Sequence, residues 1–282
     1  MGATQSQEQP QSQTRFQLQS QHHQQQQPPR HEAATRESWS LSPEGNTKSS
    51  KNSTKMVNNA TKLNETQSSM PVKAWNFEGQ IPHNYEHILK DADSPLANSS
   101  NWGNLLDQLY AGVFLAHKTK KYWVEKKSNS NCFVLYARAL SITWAENQNY
   151  WKWEQQKVEN GTMIDLAKLK MVCWLEVHGK FDIGMVSPGI LYQVSFIVMV
   201  KDSAEGWELP VNVRVVLPGG RKQQHRENLM EKPRERWIEV PVGDFVASQK
   251  DVGEMEISMY EYDGGMWKTG LVIQGVAIKP KN

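Results

Sequence analysis

KLKMVCWLEVHG, Lys168 to Gly179, is the stretch on which the reading of the fold turns. Leu169, Met171, Cys173, Leu175 and Val177 share one parity, while Lys170, Trp174, Glu176 and His178 share the other. Successive side chains leave a strand on opposite sides, so this alternation predicts one β-strand with a buried face and a mixed face. Similar signals recur in ILYQVSFIVMV (190–200), PVNVRVVLP (210–218), RWIEVPVG (236–243), EMEISMYEY (254–262) and GLVIQGVAI (270–278). They are separated by Ser-Pro-Gly, Pro-Gly-Gly, Lys-Pro-Arg and Asp-Gly-Gly turns. About eight such strands without interleaved helices predict a mainly β fold, an antiparallel β-sandwich of the jelly-roll kind.

Upstream of the strands the texture differs. HNYEHILKDAD (83–93) reads as a short capped helix, and NWGNLLDQLYAGVFLAH repeats Leu105, Leu106, Leu109, Tyr110, Val113 and Phe114 at the spacing of one helical face. KKYWVEKK and NCFVLYARAL, joined by Ser-Asn-Ser-Asn, read as a β-hairpin. The first seventy residues carry almost no aliphatic side chains, and QSQEQPQSQTRFQLQSQHHQQQQPPRH (5–31) cannot bury enough apolar surface to offset the entropy of ordering. The expected organisation is a disordered Gln/Ser/Asn-rich tail at 1–75, a helical lead-in at 76–120 and the sandwich at 121–282.

A formal charge of +2, from 32 basic and 30 acidic side chains, gives no field that would make nucleic acid or an anionic membrane the main ligand. Cys132 and Cys173 sit in apolar alternating runs and read as buried free thiols, which implies a reducing compartment. No apolar run reaches the roughly 20 residues of a spanning helix, and the N-terminus lacks a signal-peptide core, so a cytosolic protein without stable membrane insertion is expected. The Asn-x-Ser/Thr matches at Asn52, Asn59, Asn64, Asn98 and Asn160 are then accidents of composition. MGATQS fits the myristoylation pattern and makes Gly2 a lipidation candidate, though a single acyl chain gives only reversible attachment.

Signatures of catalysis are missing: there is no P-loop, dinucleotide fingerprint, G-x-S-x-G elbow or C-x-x-C pair, and no cofactor is implied. Pro-Gly-Gly at 218–220 followed by RKQQHR reads as a solvated hairpin loop rather than a phosphate cradle. His83 and His87 stand at i and i+4 without a third ligand, so no metal site is expected. Glu146, Glu154, Glu254 and Glu261 lie near aromatic residues, as a glycosidase would need, but their neighbours are Lys and Asn rather than apolar runs that raise a pKa. The expectation is a protein that is not an enzyme.

TWAENQNYWKW, Thr143 to Trp153, gathers Trp144, Tyr150, Trp151 and Trp153 around the polar filler Glu146, Asn147, Gln148 and Asn149. Read as strand, loop, strand, it sets Trp144 where the loop begins and Trp151 where it ends, so both flank one mouth. Two indoles beside amides make a plausible sugar platform, because pyranose C–H faces pack on rings while hydroxyl and acetamido groups seek directional partners. The alternative is a sandwich core, which spacing alone slightly favours. Trp153, Trp174, Trp207 and Trp237 read as packing residues.

From about Trp123 to the C-terminus, ARALSITWAENQNYWKW, VCWLEVHGKFDIGMVSPGILYQVSFIV, GWELPVNVRVVLPGG, KPRERWIEVPVGDF and YEYDGGMWKTGLVIQGVAIKP resemble, in order, the phloem protein 2 family, which includes the Nictaba-type plant lectins. HNYEHILKDADSPL resembles the lead-in of phloem-expressed members. The resemblance implies a non-catalytic β-sandwich lectin domain that recognises N-acetylglucosamine (GlcNAc) oligomers, N-glycan cores and the glycoproteins that carry them, in the cytoplasm or nucleus and, for phloem members, in sieve elements. The family's W-x6-W motif falls on Trp144 and Trp151, the loop amides Asn147 and Asn149 would supply polar contacts, and a late carboxylate falls on Glu254 or Glu261. Phloem members are also associated with RNA transport and protein filaments, which supplies the competing role. For that role Lys118, Lys120, Lys121, Lys126 and Lys127 would contact phosphate or protein, with a solvated hairpin face as the alternative. A homodimer is left open.

Overall fold

The computed structural model describes residues 81–281 apart from 98 and 159. The expected tail at 1–75, Gly2 and the first residues of the lead-in lie outside the described residues. Among the described residues the strands are β1 (Val113–Leu115), β2 (Lys120–Glu125), β3 (Ser130–Tyr136), β4 (Ser141–Ile142), β5 (Trp151–Lys157), β6 (Met163–Leu169), β7 (Leu175–Asp182), β8 (Leu191–Val200), β9 (Val211–Val216), β10 (Lys222–Glu227), β11 (Trp237–Val246), β12 (Glu254–Glu261) and β13 (Leu271–Pro280). They form two antiparallel sheets, as the alternation predicts. One runs β10-β9-β12-β7-β4, and the other has eight strands arranged around β13.

β13 has three partners because its edge changes hands. β8 pairs along its whole length, from Leu271 to Pro280. On the opposite edge Val272 and Ile273 pair with β6, and Gly275 to Ile278 pair with β3. A bulge between Ile273 and Gly275 makes the exchange, and a Cβ on Gly275 would stand 2.0 Å from the Leu135 carbonyl oxygen. Between the sheets lie Val177, Val213, Ile257 and Met259 from one side and Tyr192, Phe196, Val198 and Val276 from the other, all without solvent exposure. Where the two sheets meet at β10 and β11, the Gln223 amide donates to the Asp244 carbonyl and accepts from the Asp244 N–H, and Gly243 leaves room for it.

The stretch that opened the reading is not one strand. β6 ends at Leu169 in one sheet and β7 begins at Leu175 in the other, so Lys170–Trp174 is the corner between them. Alternation fails there for a geometric reason, since a chain crossing between layers turns and its side chains no longer obey a single sheet. Met171, expected inside, is 43% exposed, whereas Val172 of the other parity has no exposure. The corner is fixed by two backbone hydrogen bonds between Val172 and Lys268 and by N–H donation from Lys170 to the Tyr150 carbonyl.

Three further expectations change. The helix of the lead-in is Trp102–Ala111, after which Gly112 takes a φ of 94°. Val113 and Phe114 therefore belong to β1, not to the helical face. RKQQHR is mostly β10, an edge strand, rather than a loop. The hairpin at β2 and β3 pairs as expected, from Lys120 opposite Leu135 to Glu125 opposite Ser130. No helix among the described residues is long and apolar enough to cross a membrane.

Two measurements check the fold. Gly275→Ala forces a methyl group onto a backbone oxygen and is expected to cost about 3 kcal/mol or more in urea unfolding, the upper range for overpacking. Cys132 and Cys173 are buried and not joined in a disulfide, and burial pushes the Cys132 thiol up to about 12. Iodoacetamide at pH 8 should leave Cys132 unlabelled in the native protein and label it after denaturation.

Candidate functional site

The loop between β4 and β5 is held by three layers of contact. Thr143 prolongs the β4 pairing, its N–H donating to the Glu176 carbonyl. Trp144 then adopts a φ of 59°, a left-handed conformation that ends the strand and turns the chain. Asn147 builds the turn, its Oδ1 accepting from the Asn149 N–H and its carbonyl accepting from Tyr150 and Trp151. Finally, two indoles staple the loop to β5: Trp151 Nε1 donates to the Thr143 carbonyl at 3.1 Å and Trp153 Nε1 to the Ala145 carbonyl at 3.2 Å.

Beneath this loop lies an open cleft of about 570 Å³. Arg138, Ser141, Trp144, Glu146, Asn147 and Trp153 contribute to its walls. The Arg138 guanidinium lies 3.6 Å from the Trp153 ring centroid and reaches Asp165 at 2.9 Å and Glu146 at 3.3 Å. That arrangement fixes a planar cation in the cleft wall. Trp144 is half-buried, with Tyr150 tilted against it at 5.5 Å. Its volume falls in the range of small-ligand pockets.

The expected site residues separate. Trp144, Asn147 and Asn149 come together on the loop, the two Asn side chains exposed. Trp151 is 1% exposed and belongs to the core, so its ring offers no face to a ligand in this arrangement. Trp153, read as packing, does pack, though it also borders the cleft. Glu254 and Glu261 have opposite parity in β12 and face opposite sides of the sheet. Glu261 is 3% exposed and ion-paired to buried Lys268. Glu254 is exposed and faces Lys180 at 3.5 Å. It stands six residues along β12 from Tyr260, the residue opposite Glu176. At about 3.3 Å per residue that is roughly 20 Å from the loop's anchor, too far to share a sugar ring with Trp144.

The carboxylate that does meet the loop is Glu176. It accepts from the Thr143 hydroxyl at 3.1 Å, Trp174 Nε1 at 3.1 Å and His178 Nε2 at 3.0 Å. Partial burial works against its charge, but hydrogen bonds from His178, Trp174 and Thr143 outweigh that and hold it below the ordinary carboxylate range. Trp174 in turn stacks on Tyr262 at 4.4 Å, and Tyr262 on Tyr260 at 5.4 Å. The shared parity of Trp174, Glu176 and His178 is the available signal for this cluster, and by itself it predicts only a mixed face with Trp174 as a packing residue.

Other candidates disperse. Lys120 and Lys121 take opposite faces of β2, while Lys118 precedes that strand and Lys126 and Lys127 follow it, with Lys126 over the Tyr110 ring. His83 precedes the helix Tyr85–Ile88, so His83 and His87 do not share a helical face. No group of three or more His, Cys, Asp or Glu side chains among the described residues is placed to hold a metal.

The family described as Phloem protein 2 matches residues 130–280. Protein PHLOEM PROTEIN 2-LIKE A1 of Arabidopsis thaliana is 47% identical over 216 residues, 76% of this chain and 86% of that protein. A protein of Luffa acutangula named lectin is 40% identical over 205 residues, 72% of this chain and 97% of its own. Protein PHLOEM PROTEIN 2-LIKE A5 of Arabidopsis thaliana is 36% identical over 166 residues, 57% of this chain and 40% of its own.

Burial and the Thr143 hydrogen bond make Trp151 a positioning residue. Trp151→Ala is expected to cost about 3–5 kcal/mol in urea unfolding, as for other large core rings. A loss under about 0.5 kcal/mol, the ordinary cost at a surface position, would return this ring to the ligand.

Proposed function

The chain belongs to the phloem protein 2 family, and on that premise we propose that it is a non-catalytic lectin that recognises GlcNAc oligomers and N-glycan cores. The observation that carries this reading is the half-buried Trp144 ring in the wall of an open cleft that also presents Arg138, Glu146 and Asn147, on a loop stapled by Trp151 and Trp153. The relative from Luffa acutangula, itself named a lectin, supports it. Trp144 stacks on the C–H face of a pyranose ring. Asn147, Asn149 and Glu146 reach hydroxyl and acetamido groups from the loop, while Arg138 supplies a fixed donor from the wall. In place of Glu254 and Glu261, Glu176 is the carboxylate that braces the site.

Magnitudes fit weak binding. A stacked ring contributes about 1–3 kcal/mol, as for bases on aromatics, and each hydrogen bond about 1 kcal/mol net. One ring and a few such bonds reach roughly millimolar affinity, so extended or multivalent glycans are the physiological ligands. Support for a non-catalytic role comes from the carboxylates themselves. Glu154, hydrogen-bonded by Lys152 and Lys168, is held low, and so is Glu176. A glycosidase general acid requires the opposite shift. Two buried thiols not joined in a disulfide support a reducing compartment, the cytoplasm or nucleus of phloem cells. The dispersed lysines do not favour the RNA-binding alternative.

Calorimetry with chitotetraose tests the reading. Trp144→Asn removes the ring and suits the left-handed backbone, and it should weaken binding roughly tenfold or more with little change in melting temperature. Unchanged affinity in the folded variant would remove the cleft as the sugar site. Release of new reducing ends from chitotetraose would overturn the non-catalytic reading.

A further inference from the structure

The outward face of the five-stranded sheet is mostly polar, with Val216 as an apolar exception in β9, and its strand register aligns the side chains in rows. One row runs Gln224, Arg214, Ser258, His178 and Ser141 across β10, β9, β12, β7 and β4. The next runs Arg226, Asn212, Tyr260 and Glu176. With strands about 4.8 Å apart, five of them span roughly 19 Å, the scale of an extended chain rather than a single ring.

Charge on this face is unevenly settled. Glu254 and Glu256 face Lys180, and Glu176 is taken by three donors. At the β9–β10 end, Arg214, Arg226 and Lys222 meet no carboxylate among the described residues. The carboxylate of β10, Glu227, is engaged by His225 and Lys232. Arg214 is the most constrained of the three cations. Its guanidinium lies 5.6 Å from the Tyr260 ring centroid, and its buried Nε–H finds no acceptor in the structure. A planar cation held against a ring and left without a carboxylate partner favours a carboxylate or similar oxyanion at its exposed side.

We propose that the β9–β10 end of this face is a second sugar site, for an oligosaccharide that carries carboxylates on its rings. The Arg214 fork takes a ring carboxylate, with Arg226 and Lys222 serving its neighbours along the chain. Neutral partners lie beside them: Gln224 Nε2 already donates to the Tyr260 hydroxyl at 3.0 Å, which leaves the amide carbonyl and the phenolic proton for ring hydroxyls. Single-stranded nucleic acid fits less well, because it needs open ring faces for its bases and here Tyr260, Tyr262 and Trp174 are stacked on one another. This site deepens the lectin reading but shares no residue with the Trp144 cleft, so the two stand or fall separately.

The test uses the full chain, a galacturonic acid oligomer as the charged probe and chitotetraose as the neutral one, by calorimetry at low and physiological salt. The uronate oligomer should bind, and Arg214→Lys, which keeps the charge and loses the fork, should weaken it about fivefold or more while leaving chitotetraose unchanged. Trp144→Asn should do the reverse. Failure of chitotetraose alone removes the neutral-sugar reading and leaves this one standing. Absence of uronate binding, or binding indifferent to both Arg214→Lys and Arg226→Ala, overturns the second site. Polyuridylate bound equally well, with the same sensitivity to Arg214, would make the face a general polyanion surface and overturn it as well.

Discussion

A buried ammonium group governs how the two sheets join. Lys268 is 1% exposed, and its Nζ is ion-paired to Glu261 and donates to the carbonyls of Cys173 and Met266. A charge removed from water is tolerable only when its partners are all supplied, and here they come from the end of β12, the inter-sheet corner and the loop before β13. Its backbone also brackets Val172. The corner is thereby fixed at its middle and its end, and Trp174 and Glu176 follow directly from it. Loss of either ionic partner would leave the other charge buried and unpaired, so the two must be kept or replaced together.

From that corner the restraint passes to the loop. Glu176 receives the Thr143 hydroxyl, the Thr143 N–H pairs with the Glu176 carbonyl, and the Thr143 carbonyl receives the Trp151 indole. Each polar group of Thr143 is used: its N–H and hydroxyl hold it to Glu176 of β7, and its carbonyl holds it to Trp151 of β5. A left-handed Trp144 persists because the residue before it cannot move and the two indoles beyond pin the return. The ring proposed for the ligand, Trp144, is thus the one indole of the three in this segment that is not buried or used as a staple.

The sequence made the class of fold legible because a two-sheet sandwich is written in parity, and β8, β9, β12 and β13 fall within the runs that alternate. It hid the corner because Lys168–Gly179 keeps its alternating pattern through residues that no longer belong to one sheet. It hid β10 because an exposed edge strand of Lys, Gln, His and Arg lacks the apolar parity that marks a strand. At the proposed site, the family motif points to the loop between β4 and β5. Spacing could not say which of its two Trp residues is buried, since that depends on the Thr143 carbonyl, which only the folded turn brings within reach of the Trp151 indole. Glu254 and Glu261 were legible as acids, but seven residues in a strand set them on opposite faces.

The division of labour in the loop also bears on the binding proposed for it. Ordering a rotamer-rich side chain on association costs about 0.5–1.5 kcal/mol each, which competes with the small gain from one stacked ring. Trp151, Trp153 and Thr143 meet that cost during folding, when core burial offsets it, so the loop backbone is already set when a ligand arrives. Exposed Asn147 is half committed in the same way, its Oδ1 held by the Asn149 N–H. What stays adjustable is Glu146, 82% exposed and tethered to Arg138 at one oxygen. Affinity in such a site is set by the fixed ring, and selectivity by the few polar groups still able to turn.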